Sequence, residues 1–379
     1  MLLYCFIALL AAYTLSTWDG GELSSRIISA AVLLVAALRL SGSPNQGQRL
    51  RWPVSCLVAL AAYGALQTIF FKQKIVSAGW TGVLFWLTAA AITFLGSELG
   101  VRPVLARRFL LWLAVFGTAV CLLDVLQQAS QTNRYFWLVS SRYHSIFGPF
   151  AYWNNFAQFV ELVLPVTLWQ GLGGERVRVA YLFFAAIQIS AVVASGSRAG
   201  TLLATLELVT VIVIVCLQRR SRRLLLGGLL AIGLSIAFVY AAGFQTIIGK
   251  LQTTDQLAVR RNIDRSSVAM IRERPLTGWG LETYVPVYRM FALYDDGTYV
   301  NRAHNDWLEW AAEGGILFSA AMLAVALWAF RPAIRSGWAL GLIAMSLHAL
   351  VDYPFARFGV CGWYFCLLGM LSRRASLLA

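Results

Sequence analysis

The chain has 379 residues; 59% of them are hydrophobic, only 13% are charged, and the mean hydropathy is +0.69. Soluble globular proteins carry about 25% charged residues, so this composition excludes a soluble enzyme and indicates that a lipid bilayer surrounds most of the chain. The net charge of +14 does not indicate a nucleic-acid partner, because most basic residues lie in short segments between apolar runs, as is typical of membrane proteins.

The apolar runs, taken in chain order, predict the fold class. A helix needs about 20 apolar residues to cross the hydrocarbon core, and such runs extend along the whole chain. We therefore predict a single all-α integral membrane domain over 1–379 with about twelve transmembrane helices. The predicted spans are 1–17, 23–40, 53–71, 79–96, 109–128, 150–170, 179–195, 199–217, 224–243, 307–330, 337–352 and 356–371.

The first run is predicted to be a span and not a cleavable signal peptide, because it has neither a basic leader nor a small-residue cleavage site. The basic residues support the count of twelve. If both termini are cytoplasmic, sixteen of the 31 basic residues lie on the cytoplasmic side and seven in the short segments of the other side. That asymmetry predicts a multi-pass protein with both termini in the cytoplasm.

One long loop, 244–306, is predicted on the opposite, outer side. It holds eight basic residues, six acidic residues from Asp255 to Asp296, a helix-like stretch around 256–272 and a turn at 275–280. Long loops inside compact proteins are uncommon unless they are functional or disordered, and the helical stretch favours function. All six cysteines lie in apolar runs outside this loop, so neither a disulfide framework nor a zinc site is expected.

Arginine and histidine residues at the outer ends of the spans are the candidates for chemistry. Arg198 stands among small residues in the turn Ser195–Gly200 and suits an anion such as phosphate; the alternative is a side chain that anchors the helix at the membrane interface. Arg260 and Arg261 belong to a basic group in the loop that either binds an anion or faces lipid headgroups.

His304, followed by Asn305 and Asp306, lies at the outer mouth of a span, where an imidazole is able to act as a general base. The alternative is a helix-capping turn. Arg142, Asn155 and Trp279 are further candidates at the outer ends of the spans.

His348 and Asp352 lie four residues apart on one predicted helix face. They are either functional, as ionisable groups within membranes usually are, or partners of each other; we favour the second interpretation.

Three of these segments resemble the O-antigen ligase and O-antigen polymerase superfamily. They are Ser197-Arg198, the stretch from Arg260 to Pro275-Leu276-Thr277-Gly278-Trp279-Gly280, and Ala303-His304-Asn305-Asp306-Trp307-Leu308 with Glu313-Gly314. Asn154-Asn155 and the segment from His348 to Pro354 are also similar to segments of that family. The resemblance covers roughly residues 140–360. It depends on the order and spacing of these segments more than on any single motif.

The resemblance implies a C-type glycosyltransferase of the bacterial inner membrane. Such an enzyme moves a glycan from undecaprenyl diphosphate to an acceptor hydroxyl on the periplasmic side. By this resemblance His304 is the base, Arg198 binds diphosphate, and a second arginine is either Arg260, which we prefer, or Arg261. The candidate contacts of the acceptor or glycan are Asn305, Asp306, Trp279, Arg142 and Asn155. No metal or other cofactor is expected, and the acceptor is lipid A-core or a second lipid-linked glycan.

The chemistry of the residues agrees with that expectation. A departing diphosphate needs cations aimed at its developing charge, whereas a metal ion would need a cluster of carboxylates that the loop does not present. Ligation to lipid A-core is preferred slightly over polymerisation of repeat units. Transfer of the glycan to a protein acceptor is a third variant that the sequence does not separate from these two. A transporter or flippase of lipid-linked oligosaccharides is the alternative function, and a structural role in polysaccharide assembly is a third.

Overall fold

The computed structural model describes residues 1–19, 22–42, 52–70, 75–130, 133–141, 146–219, 221–241, 256–293 and 299–373. In these ranges the chain forms fourteen α-helices, one two-stranded antiparallel hairpin, and two 3-10 turns at Thr17–Asp19 and Pro354–Ala356. The elements are α1 (Leu2–Leu15), α2 (Glu22–Ser41), α3 (Trp52–Phe70), α4 (Val76–Gly100), α5 (Pro103–Ser130), β1 (Arg134–Tyr135), β2 (Val139–Ser140), α6 (Trp153–Leu172), α7 (Val179–Ser195), α8 (Arg198–Arg219), α9 (Arg222–Ala241), α10 (Gln256–Glu273), α11 (Tyr284–Phe291), α12 (Asp306–Ser336), α13 (Gly341–His348) and α14 (Phe358–Leu371).

The predicted all-α membrane fold is confirmed. Among the described residues, α2, α3, α4, α5, α8, α9 and α12 are each long and apolar enough to cross a membrane. The predicted span 337–352 differs from the structure, because its helix covers only the eight residues of α13. At about 1.5 Å per residue this helix is far shorter than the roughly 30 Å hydrocarbon core, so the count of twelve spans stays a prediction.

Two central helices organise the bundle. Every residue of α14 is buried, and so are nearly all residues of α6. On α14, Trp363 packs against a group of aromatic rings from α5, and its indole N–H donates to Thr14 Oγ1 of α1 over 2.8 Å. The remaining helices surround this pair, and the surface side chains of α8 and α9 are largely exposed leucine and valine, as expected for a lipid-facing surface.

Ionisable side chains lie inside the bundle as well. His348 Nδ1 is 2.7 Å from Glu161 Oε1 of α6, and neither side chain is exposed. The interpretation that His348 pairs with Asp352 is therefore wrong: successive turns of chain place Asp352 at the end of the bundle and turn His348 toward α6. Glu207 of α8 is also buried, and neither of its carboxyl oxygens has a hydrogen-bond partner among the described residues.

The described part of the predicted long loop is folded. The helix-like stretch around 256–272 is confirmed as α10, which packs with α11 around a small apolar core that includes Met270, Trp279 and Tyr284. Trp279 Nε1 donates to the Met270 carbonyl over 3.0 Å. This core is separate from the main core of the bundle and includes Ala312 of α12.

The turn after α10 fixes the loop to α12. Gly315, with φ of +80°, interrupts α12, and there Ile316 N donates to the Pro275 carbonyl over 2.8 Å. Gly278 has φ of +62° and lies so close to the Glu313 carbonyl that a Cβ atom would overlap it. From α3, Gln67 Nε2 donates to the carbonyl oxygens of both Thr277 and Glu313. The turn and the interruption of α12 therefore hold each other in place.

Candidate active site

The site elements meet at one end of the bundle. The starts of α6, α8, α12 and α14 and the end of α13 lie together there, as alternating helix directions require. Two chain segments run beside each other across this end: 301–307, which enters α12, and 349–357, which links α13 to α14. Asp306 N donates to the Ala349 carbonyl over 2.9 Å, and Phe355 N donates to Asp306 Oδ2 over 2.9 Å. We call them the paired segments.

Asp352 is the centre of the polar contacts. Its side chain has no exposed surface, and five groups surround the carboxylate. Tyr353 N donates to Oδ1 over 2.9 Å, whereas Tyr152 and Asn154 donate to Oδ2. His304 Nδ1 lies 3.5 Å from Oδ1, and Arg260 Nη2 lies 3.7 Å from Oδ2. A buried carboxylate requires such partners, so Asp352 holds the neighbouring cation and imidazole in fixed positions.

His304 presents a strained backbone and a partly exposed ring. Its φ is +52°, a conformation that non-glycine residues rarely adopt. The flanking residues impose it: Ala303 N donates to Glu309 Oε2 over 2.7 Å, and Asn305 caps α12 by accepting from Leu308 N. The imidazole packs edge-on against the Tyr353 ring at 4.9 Å. With Nδ1 directed at Asp352, the other nitrogen, Nε2, is available to a substrate.

The helical phase of α10 separates the two candidate arginines. Arg260 Nη1 donates to the Val351 carbonyl over 2.8 Å, and its side chain remains 28% exposed. Arg261 is exposed on another face of the helix. Asp264, one turn after Arg260, is the third charged group here; partial burial raises its pKa above the usual range, although the nearby charges of Arg260 and His304 oppose the shift.

Ser197 connects the turn between α7 and α8 to the same network. Its hydroxyl donates to Asn154 Oδ1 over 2.7 Å, and Asn154 in turn donates to Asp352. Gly196, with φ of +80°, ends α7 in the left-handed conformation and lets the chain reverse into α8. The next residue, Arg198, is exposed at the start of α8. The structure therefore brings Arg260 and His304 to one carboxylate, that of Asp352, and it links Ser197, the neighbour of Arg198, to the same carboxylate through Asn154.

Most of the predicted glycan-contact residues make structural contacts in the described part of the chain. Trp279 is 3% exposed in the core of the loop, and Asp306 is 3% exposed beneath the paired segments, so neither is available to a sugar in this conformation. Asn305 is the cap of α12. Asn155 is buried and donates to Gln158 Oε1. Arg142 lies outside the described residues. A role for these residues in glycan binding stays a prediction.

Sequence reasoning gave too little weight to Asn154, Ser197 and Asp352. Asn154 and Ser197 stood within recognised motifs. Adjacent positions on a helix point about 100° apart, so Asn154 and Asn155 face different directions, and nothing in the sequence showed which of them belongs to the site. Tyr152 was missed altogether, and Tyr353, whose ring stacks in parallel with that of Tyr152 at 5.7 Å, stood within a recognised segment without a role of its own.

Two cavities flank the paired segments. The first, an apolar groove of about 590 Å³, runs between α12 and α13 from Trp307 and Leu350 down to Phe330. The second, a polar cavity of about 240 Å³, lies among α1, α2 and α4 and is closed by Arg302, Tyr353 and Arg357. His304 and Asp352 stand between the two, because each paired segment runs from one cavity to the other.

Comparison with known proteins finds one family. Residues 183–323 match the family model of O-antigen ligase. The predicted resemblance to the O-antigen ligase and polymerase superfamily is confirmed over these residues. The matched part of the chain begins within α7, ends within α12, and includes Arg198, Arg260 and His304. A search of curated proteins finds no match.

The family match indicates the general function. The chain is similar to O-antigen ligases over residues 183–323, and the seven long apolar helices among the described residues indicate a multi-pass membrane protein. In the described part of this O-antigen ligase-like chain, no three His, Cys, Asp or Glu side chains are grouped so that they could hold a metal ion. That catalysis proceeds without a metal stays a prediction.

Proposed function

We propose that this protein transfers a glycan from undecaprenyl diphosphate to an acceptor hydroxyl at the periplasmic face of the bacterial inner membrane, with both of its termini cytoplasmic. The observation that carries the proposal is the meeting of Arg260 and His304 on the buried carboxylate of Asp352. The two side chains are 44 positions apart in the sequence, and each supplies one of the two things that the reaction needs, a cation and a base.

His304 would act on the acceptor. Its Nε2 removes the proton as the acceptor oxygen attacks the anomeric carbon of the donor sugar; a new glycosidic bond forms, and the bond from that carbon to the diphosphate oxygen breaks. Asp352 stabilises the imidazolium that results and favours the neutral tautomer with the proton on Nδ1 beforehand. The gap of 3.5 Å to Asp352 is typical of an unliganded site, because such contacts often shorten when substrate binds.

Arg260 would act on the leaving group. The diphosphate gains negative charge as the sugar departs, and a guanidinium fork pairs well with phosphate oxygens. Arg260 reaches the Val351 carbonyl, next to Leu350 at the mouth of the apolar groove. The polyprenyl tail of a diphosphate bound there would lie in this groove along α12. Arg198 at the rim and Arg261 on the outer face of α10 would be secondary contacts of the same diphosphate.

The acceptor class is the finer part of the proposal. Ligation to lipid A-core is preferred slightly over polymerisation of repeat units, since both reactions share this donor chemistry. The competing function, transport of a lipid-linked oligosaccharide, is favoured by the buried carboxyl groups of Glu161 and Glu207, because transporters place ionisable groups within the membrane. The concentration of cations and the base at one end of the bundle favours transfer.

The test is glycan transfer by purified protein in nanodiscs, with undecaprenyl-diphosphate glycan as donor and either lipid A-core or a second lipid-linked glycan as acceptor. The wild type should extend at least one acceptor with a chelator present, and His304→Ala should lose at least about a hundredfold in rate, since general bases contribute about 10²–10⁴.

The acceptor that is extended separates ligase from polymerase. Full activity of a His304→Ala protein that inserts and melts like the wild type would remove His304 from the reaction. No transfer by the wild type to either acceptor, together with movement of donor across vesicles, would establish the transporter instead.

A further inference from the structure

The polar cavity has no part in donor binding as proposed above, yet it opens beside the same base. Its walls come from the end of α1, from α2, from α4, from Glu282 in the loop, from the paired segments and from the start of α14. Hydroxyl groups, an amide, aromatic rings and the Glu282 carboxylate thus line a space of about 240 Å³. That mixture of polar and aromatic surface suits a saccharide and does not suit a lipid tail.

Three arginines give this cavity a positive character, and their partners differ. Arg302 donates to Glu309 Oε1 over 2.8 Å and lies 3.1 Å from Glu282 Oε2, so two carboxylates balance its charge. Although burial works against the charged form, these carboxylates raise the pKa of Arg302 above its usual value. Arg302 is therefore a fixed part of the wall.

Arg357 is held differently. Its Nη1 donates over 3.4 Å to a neutral group, the carbonyl of Thr17, and among the described residues no carboxylate forms an ion pair with it. Arg26 lines the same cavity. The Glu282 carboxylate there is paired with Arg302 over 3.1 Å. The Arg357 guanidinium, without a carboxylate partner among the described residues, favours an anionic ligand, and its planar fork suits phosphate oxygens in particular.

The cavity also has the correct position for the second substrate. Tyr353 forms part of its wall and contacts the imidazole of His304 with ring centroids 4.9 Å apart. Burial and the adjacent Asp352 raise the pKa of the Tyr353 phenol, so it stays neutral and able to donate a hydrogen bond to a sugar oxygen. The apolar groove approaches His304 from the opposite side. Two substrates bound in the two cavities would thus meet at the base.

We propose that the polar cavity is the acceptor site, and that it binds a lipid-anchored saccharide through a phosphate substituent that pairs with Arg357. The proposal rests on the transferase function proposed above and deepens it. A phosphorylated acceptor favours lipid A-core over a neutral repeat unit, so the cavity supports ligation.

The experiment measures transfer kinetics with rough lipopolysaccharide (lipid A-core without O-antigen) as acceptor, either intact or treated with phosphatase, against a fixed donor. For the wild type, removal of phosphate should raise the acceptor KM at least about tenfold, the usual effect of losing one charge-assisted hydrogen bond. Arg357→Gln should raise the KM of the intact acceptor to a similar value and respond little to phosphatase. Arg357→Lys should recover part of the affinity, and the donor KM should stay unchanged in each case.

Arg335→Gln, which removes an exposed arginine near the end of α12 away from the site, is the matched control and should behave like the wild type. Equal KM values for intact and phosphatase-treated acceptor on the wild type would overturn the proposal without any variant. So would a rise in donor KM in Arg357→Gln, which would assign the cavity to the donor. Either result leaves the transferase function standing, whereas loss of transfer by the wild type to both acceptors would remove that function itself.

Discussion

The substitution Asp352→Asn tests the centre of the site. It keeps the size of the side chain and removes the negative charge that lies 3.5 Å from His304 Nδ1. In the proposed mechanism His304 carries a positive charge in the transition state. Coulomb's law then gives the lost attraction as about 1 kcal/mol in bulk water and about 5 kcal/mol at an effective dielectric constant near 20. Each 1.4 kcal/mol is about tenfold in rate.

Asp352 is fully buried while His304 is 22% exposed, so the environment lies between those limits and nearer the second. We therefore expect kcat to fall about 10²- to 10³-fold in the glycan-transfer assay. Glu98→Gln is the matched control: this buried carboxylate pairs with Arg39 at the opposite end of the bundle, with Arg39 Nη2 at 2.6 Å. Its loss should not slow transfer. If Asp352→Asn, stable and inserted, retained kcat within twofold of the wild type, the assignment of Asp352 as the partner of the base would be refuted.

Three further substitutions test other parts of the argument. Arg260→Gln should reduce transfer at least about tenfold more than Arg261→Gln in the same assay, because Arg260 reaches the Val351 carbonyl beside Asp352 whereas Arg261 lies on another face of α10; equal losses would contradict the assignment of Arg260 to the site. Gly278→Ala should destabilise the protein by about 2 kcal/mol or more, seen as a lower Tm, because position 278 has a positive φ and the added Cβ atom would overlap the Glu313 carbonyl of α12. Gly233→Ala, where a Cβ meets nothing within 4 Å, should leave Tm unchanged or raise it. Glu161→Leu should cost about 3–5 kcal/mol by leaving its histidine partner buried and unpaired, and replacing that histidine by leucine as well should restore part of the loss; an additive double variant would refute the pairing.

The helices were predictable wherever a long apolar run has polar ends. The predicted span 179–195 coincides with α7, and 199–217 lies within α8. In lipid every backbone N–H and C=O needs a hydrogen-bond partner within the chain, so an apolar run of this length forms a helix. The span 337–352 failed for a definable reason. Gly337 has φ of +71°, and turns occupy the residues on both sides of α13. Hydropathy measures how apolar a segment is, but it does not record where the chain changes direction.

The choice between Arg260 and Arg261 was also within reach of the sequence. Ile263, Ser267 and Met270 are buried on α10, and Arg260 lies three, seven and ten residues before them, on the same helical face. By contrast, the partners of Asp352 and His348 were not predictable, because each depends on how distant helices meet. Asn154 reaches Asp352 across 198 positions of sequence, a relation that no local pattern expresses.

The pairing of Glu161 with His348 has a consequence for how the protein is made. The histidine follows the glutamate by 187 residues, so a ribosome that adds roughly 5–20 residues per second completes it about 10–40 s later. During that interval α6 holds a carboxyl group without its partner, and placing such a group at the centre of an isolated helix costs roughly 2.5–3.5 kcal/mol. The central helix of the bundle therefore reaches its final, stable place only when the last quarter of the chain arrives, and a polypeptide truncated before α13 would leave that helix exposed to cellular quality control.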